Sequence, residues 1–110
     1  MKIANIDNRA VVIVDGTVVD VANASDDRFG PDPMDLYEHW DEFTAWARDI
    51  GTGIDALDES KLRCPVPRPR QVFAIGLNYR THAEESGMAV PDVPATFTKF
   101  PASLSGPFDD

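Results

Sequence analysis

The chain has 110 residues, 43% of them hydrophobic, and its formal net charge at pH 7 is −9. The hydrophobic content argues against a wholly disordered chain, and no apolar stretch approaches the length needed to cross a bilayer, so we expect a soluble protein. The negative charge argues against binding to nucleic acid or to an anionic membrane surface, since both need a basic protein surface.

The first residues predict a small antiparallel sheet. Apolar segments at residues 3–6 and 10–14 have the composition of strands, and the Asp15-Gly16 pair that follows them predicts a tight hairpin turn. An acidic residue at Asp7 comes too early for a secretory signal, so we expect a cytoplasmic protein. Cys64 is the only cysteine, which excludes an intrachain disulfide.

One helix is expected between Asp32 and Gly51. The Asp32 side chain can accept a hydrogen bond at the start of the helix, Pro33 fits its first turn, and Gly51 can end it. Apolar residues spaced three or four apart form a stripe that should pack on the sheet: Leu36, Trp40, Phe43, Ala47 and Ile50. Trp46 lies off this stripe and is a candidate surface contact.

A proline-rich segment at residues 64–70 separates the two halves of the chain. Alternating prolines favour a stiff, extended connection, although a basic proline-rich stretch can also bind an aromatic-lined groove. We therefore predict a small α+β domain at residues 1–66 and a second domain at residues 67–110. Fourteen of the nineteen acidic residues lie in residues 1–60, so the second segment would tolerate an anionic small molecule better.

The most informative segment spans residues 72–85. Four apolar residues followed by Gly76 predict a buried strand that ends in a tight turn. If the next residues are helical, His82 and Glu85 lie on one face, and the carboxylate can fix the imidazole tautomer for general-base catalysis. The alternative is an exposed His/Glu contact on a short helix. The adjacent Glu84 is explained by a capping box at the start of that helix.

Through the segment at residues 72–85 and the motifs that follow it, the second half of the chain resembles the fumarylacetoacetate hydrolase family. The resemblance covers roughly residues 70–110. Four motifs carry it, in this order: Gly76-Leu77-Asn78-Tyr79, His82 with Glu85, Phe97-Thr98-Lys99, and Ser103-Leu104 followed by Gly106-Pro107. It implies an α+β fold in which a small antiparallel sheet with one packed helix precedes the first strands of a mixed β catalytic domain.

The resemblance also implies an activity. Enzymes of this family hydrolyse, decarboxylate or isomerise small keto or diketo acids, using magnesium or calcium to hold the substrate oxygens. By the same resemblance, His82 and Glu85 form the catalytic dyad, and Asn78, Tyr79 and Lys99 bind the substrate. A homodimer is implied as well.

The sequence departs from the family where its metal ligands are expected. The metal-binding Glu-x-Glu pair and the further aspartate of the family have no counterpart here, and we assign no metal ligand among the acids that could replace them: Glu84, Glu85, Asp109 and Asp110. We therefore expect metal binding and turnover only together with the remaining catalytic-domain segment. The alternative function is a non-enzymatic interaction domain or accessory subunit.

Overall fold

In the computed structural model, which describes residues 1–109, the chain begins with a five-stranded antiparallel sheet. The spatial order of its strands is β4-β3-β2-β1-β5. Their bounds are β1 (Lys2–Ile6), β2 (Arg9–Val14), β3 (Thr17–Asp20), β4 (Asp55–Ala56) and β5 (Leu62–Arg63).

Two tight turns connect the first three strands. The predicted turn at Asp15 and Gly16 is confirmed, because both residues have positive φ angles, 49° and 78°, as a type I′ turn requires. Asp7 and Asn8 form the preceding turn with φ angles of 49° and 66°. Both turns use residue types that tolerate the left-handed region, so these hairpins are encoded locally.

The helices of this part of the chain are α1 (Val21–Ala24), α2 (Pro33–Glu38) and α3 (Trp40–Ala47), with one 3₁₀ turn at Glu59–Lys61. The predicted start is confirmed: the Asp32 side chain accepts a hydrogen bond from the Met34 amide at 3.0 Å, and Pro33 is the first helical residue. The prediction of one packed helix is wrong. The backbone leaves the helical conformation at His39 (φ −119°, ψ 36°), which divides the segment into two helices.

The core lies where the helices cover one face of the sheet. Side chains from β2 and from all three helices, together with Phe29, make up a continuous apolar cluster: Ala10, Val12, Val21, Phe29, Leu36, Phe43 and Ala47. The rings of Phe29 and Phe43 meet edge to face with centroids 5.7 Å apart, an arrangement that favours aromatic pairing. Burial of these side chains is the main source of stability for this part of the fold.

The sequence predicted that Trp40 packs on the sheet and that Trp46 lies at the surface, and the structure shows the reverse. Trp40 opens α3 beside the break at His39, and it stays 41% exposed with its ring stacked on that of Tyr37. Trp46 is three residues after Phe43 on α3, so it lies on the core-facing side, and its ring is 5.3 Å from that of Phe29. The helix break therefore decides which tryptophan packs on the core.

The chain divides into two compact units. The first contains residues 1–68 and 104–109, and the second contains residues 69–103. In the first unit, residues 104–109 are held by an ion pair of 2.9 Å between Arg63 and Asp109. The Gly106 amide donates to Asp109, and this bond, followed by the Arg63 contact, lowers the pKa of Asp109. The predicted domains, 1–66 and 67–110, stay a prediction, and Asp110 lies outside the described residues.

The second unit is a two-stranded antiparallel sheet with one short helix. Its elements are β6 (Val72–Gly76), α4 (Arg80–Glu85), β7 (Ala95–Lys99) and a 3₁₀ turn at Pro101–Ser103. The strand predicted after the proline-rich segment is confirmed in position, but it is not buried: Phe73 and Ile75 are 62% and 49% exposed in a hairpin with one partner strand.

The described residues 1–109 contain no helix that is long and apolar enough to cross a membrane.

Candidate functional site

The turn between β6 and α4 carries the first of the predicted motifs. Leu77, and not Gly76, takes the positive φ angle, 49°, while Gly76 remains the last residue of the strand. A non-glycine residue in this region costs free energy, of order 1 kcal/mol or more, and such positions are concentrated at functional sites. The prediction of a glycine turn is therefore wrong in detail, although the chain does turn sharply at this point.

The helix that follows carries His82 and Glu85. It begins at Arg80, with Tyr79 as the N-cap residue and no side-chain cap, so the capping box expected between Thr81 and Glu84 is wrong. The helix ends at Glu85, and Gly87, two residues later, has a φ angle of 66°. The amide of Met88 donates to the Ala83 carbonyl at 2.9 Å and that of Gly87 donates to the Glu84 carbonyl at 3.1 Å, which together form a Schellman end.

His82 and Glu85 are three residues apart on α4, and both side chains are exposed. Residues at this spacing are neighbours on a helix surface, whereas Glu84 points to a different side. Between them lies Ala83, which is fully buried and fixes the side of α4 that faces the rest of the unit. Within residues 1–109, no hydrogen bond or ion pair joins His82 to Glu85, so the structure brings the two residues together without linking them.

A small cavity of about 280 Å³ adjoins the turn after β6. One wall is the segment Ile75–Asn78, and the other is the loop of residues 90–94, part of the region that follows α4. The polar side chains of this lining are Asn78 and Asp92. Asn78 therefore has access to a space in which a small molecule could bind, while His82 does not line it.

Lys99 lies at the other end of the hairpin. In the β6–β7 register Gly76 is opposite Ala95, and Val72 is opposite Lys99. Because a strand advances about 3.4 Å per residue, the two ends of this hairpin are roughly 13 Å apart. The structure thus groups Asn78 and Tyr79 with the start of α4 and separates Lys99 from them. The assignment of Lys99 as a substrate-binding residue stays a prediction.

The resemblance implies magnesium or calcium, so the acidic and histidine side chains are the candidate metal ligands. Among the described residues, no group of three or more His, Cys, Asp or Glu side chains is arranged to hold a metal ion. Oxygen-rich coordination of these cations needs several such ligands converging on one point. The residues present in 1–109 therefore do not fit a metal centre.

Two features of this site were not found by sequence reasoning. The strained backbone at Leu77 has no local signal, because leucine rarely adopts a positive φ angle. The contribution of Asp92 to the cavity depends on how the loop folds back over the turn. Loop contacts of this kind are set by tertiary structure and not by residue spacing.

Comparisons with known proteins bear on both units. Over 107 residues, 92% of this chain and 34% of the relative, it is 27% identical to the fumarylacetoacetate hydrolase domain-containing protein 2 homolog of Dictyostelium discoideum. Over 75 residues, 62% of this chain and 25% of the relative, it is 36% identical to oxaloacetate tautomerase YisK of Bacillus subtilis (strain 168). No protein-family model matches.

A solved structure matches nearly the whole chain. The crystal structure of a Mycobacterium smegmatis protein assigned as HpcE superposes with a TM-score of 0.86 and 48% sequence identity, covering 97% of this chain and 38% of that chain. The chain therefore spans between a quarter and two fifths of the length of these three proteins. The likeness extends to both fold and sequence.

Proposed function

Because the chain belongs to the fumarylacetoacetate hydrolase family, we propose that it forms part of a metal-dependent enzyme acting on small keto or diketo acids. Hydrolysis, decarboxylation and isomerisation are the reactions to be distinguished. Relatives named as oxaloacetate tautomerases favour isomerisation. The proposed reaction is therefore the keto–enol tautomerisation of a small keto acid such as oxaloacetate.

The observation that carries this proposal is the position of His82 and Glu85 on one face of α4. In tautomerisation a proton leaves the carbon next to a carbonyl and a proton is added to the carbonyl oxygen, so no atoms are gained or lost. An imidazole can accept and donate a proton near neutral pH, which suits both halves of this exchange. We assign His82 to the proton transfer.

Glu85 is proposed to orient that imidazole. A carboxylate that accepts a hydrogen bond from one ring nitrogen fixes the tautomer and leaves the other nitrogen free for the substrate. The two side chains are exposed and within reach of each other along the helix. Substrate and the surrounding protein would bring them into contact, since catalytic hydrogen bonds often tighten only in the complex.

Asn78 and Tyr79 are proposed to contact the substrate, with Asn78 supported by its place in the cavity beside the turn. An amide side chain can donate to a keto or carboxylate oxygen and accept from an enol hydroxyl. Lys99 is proposed to face a substrate carboxylate, as an ammonium group does, provided that a substrate or further structure spans the hairpin.

The remaining catalytic-domain segment is the proposed partner of this chain. The second unit exposes the large apolar side chains of both strands, including Phe73, Ile75 and Phe97. A two-stranded sheet is marginally stable by itself, and exposed apolar patches mark surfaces that other structure covers. That further segment would also supply the magnesium or calcium ligands, and by resemblance the whole enzyme would be a homodimer.

The test is a chimera in which this chain replaces the aligned part of the Bacillus subtilis oxaloacetate tautomerase. We expect the chimera to tautomerise oxaloacetate and the 110-residue chain alone to show no turnover. His82→Ala in the chimera should lower kcat by about a hundredfold to ten-thousandfold, the range of general acid–base catalysis. Glu84→Gln, on the same helix but a different side, is the matched control and should leave kcat unchanged.

Circular dichroism and the thermal midpoint would establish that each chimera is folded. A folded His82→Ala chimera with full turnover would show that His82 has no catalytic role. A folded wild-type chimera without turnover would support the accessory-subunit function instead.

A further inference from the structure

A groove of about 640 Å³ lies in the first unit, where the β1–β2 hairpin meets the end of α3. Buried Val12 and Ala47 form part of its lining, and partly buried Val14 and Ile50 extend the apolar surface. This volume is in the range of protein sites for small organic molecules, which are mostly apolar with a few polar groups that fix orientation. All of its lining residues belong to the first unit.

The charges around this groove differ from those of the rest of the unit. Residues 1–68 contain seven lysines and arginines, and four of these arginines form ion pairs with acidic side chains: Arg9, Arg28, Arg63 and Arg68. Two of the three that have no ion pair within the described residues, Lys2 and Arg48, line the groove. Asp15, in the exposed turn, is the one carboxylate of the lining.

We propose that this groove binds a small amphipathic monocarboxylate. Its apolar body would cover the partly buried side chains of Val14 and Ile50, and its carboxylate would face the ammonium of Lys2 and the guanidinium of Arg48. The basic side chains of Lys2 and Arg48 outnumber the single carboxylate of Asp15 in the lining, which favours an anionic ligand. This proposal concerns the first unit alone and is independent of the proposed activity.

The wider electrostatics oppose this binding and make the local cations necessary. The chain carries a net charge of −9, and the carbonyl end of α3 beside Arg48 also favours cations over anions. At physiological ionic strength, charges beyond about 8 Å are largely screened, so the two cations that line the groove dominate for a ligand inside it. The affinity should therefore depend on both the apolar body and Arg48.

The test is a titration of the 110-residue chain with decanoate, below its micellar concentration, followed by methyl NMR shifts and calorimetry. We expect saturable shifts at Val12, Val14 and Ile50, and much weaker binding of decanol, which lacks the charge. Arg48→Gln should weaken decanoate binding about fivefold, the effect of an exposed charge contact. Lys61→Gln removes the third lysine or arginine without an ion pair, which does not line this groove, and should leave the affinity unchanged.

Decanol binding as tightly as decanoate would overturn the proposal, as would shifts that map to other methyl groups. An unchanged affinity in a folded Arg48→Gln variant would overturn it too. Because Arg48 is exposed and makes no ion pair in the described structure, its replacement should not alter the fold, and Lys2→Gln gives an independent second variant.

Discussion

The two units of this chain differ in where their apolar side chains lie. Ten of the eleven buried apolar residues of the described structure belong to the first unit, and the second contributes Ala83. The second unit instead exposes large apolar side chains on both strands and in the loop after α4. The first unit therefore carries its own core, whereas the unit with His82 and Glu85 buries little apolar surface among the described residues. The residues proposed to transfer and orient the proton, His82 and Glu85, therefore lie in the unit with the smaller core.

The largest expected effect is a loss of stability, and the same phenylalanine-to-alanine change in each unit compares the two. Phe43→Ala removes a fully buried ring from the first core and should lower its free energy of unfolding by about 3–5 kcal/mol. Phe73→Ala removes a ring that is 62% exposed and should change the stability by less than about 0.5 kcal/mol. Urea unfolding monitored by tryptophan fluorescence measures the effect of each variant on the first unit, because Trp40 and Trp46 both lie there. Similar losses for the two variants would show that the units share one core.

A smaller effect concerns an ion pair in the first unit. Arg9 donates to Asp20 at 2.6 and 2.9 Å, and this hydrogen bonding lowers the pKa of Asp20. The folded pKa then lies below the unfolded value of about 4, so the stabilisation is present above pH 4 and is lost as the pH falls through the folded pKa. Asp20→Asn should lower the urea midpoint at pH 7, with the difference from the wild type shrinking toward pH 2.

Asp26→Asn is the control for this measurement. Asp26 is exposed, makes no ion pair within residues 1–109, and has a φ angle of 53° that asparagine tolerates. Its replacement should leave the pH dependence of the urea midpoint close to that of the wild type. A constant difference between Asp20→Asn and the wild type from pH 7 to pH 2 would contradict the role of the Asp20 charge.

The smallest expected effect concerns the backbone angle at Leu77 in the second unit. Leu77→Asn introduces a residue that tolerates the positive φ angle at this position, whereas Leu77→Val introduces a β-branched residue that does not. We expect the valine variant to be less stable than the asparagine variant by about 1 kcal/mol, seen as faster amide hydrogen exchange in α4. Equal exchange in the two variants would mean that the backbone angle at Leu77 does not hold the start of this helix.

The sequence predicted those elements whose signals are local. Asp15-Gly16 and Asp32-Pro33 each act through their own backbone and capping preferences, and the structure has a turn and a helix start at these positions. The spacing of His82 and Glu85 predicted that they share one face if the segment is helical, and the structure has a helix there.

The features that were missed depend on tertiary contacts. The break at His39 occurs without proline or glycine nearby, and it reverses the expected roles of Trp40 and Trp46. Periodicity assumes one continuous helix and cannot locate such a break. The contact of Asp109 with Arg63, 46 residues earlier, has no local signal either, and neither has the cavity wall formed by the loop after α4.

The Arg63–Asp109 ion pair has a topological consequence. Because residues 104–109 rejoin the first unit, the second unit is an insertion within the first, with both of its ends joined to one folded body. Holding the two ends of residues 69–103 together costs conformational entropy, and this cost grows only slowly with the length of the inserted segment. The inserted segment can therefore open, be cleaved by a protease or accept a different sequence while the surrounding body remains folded.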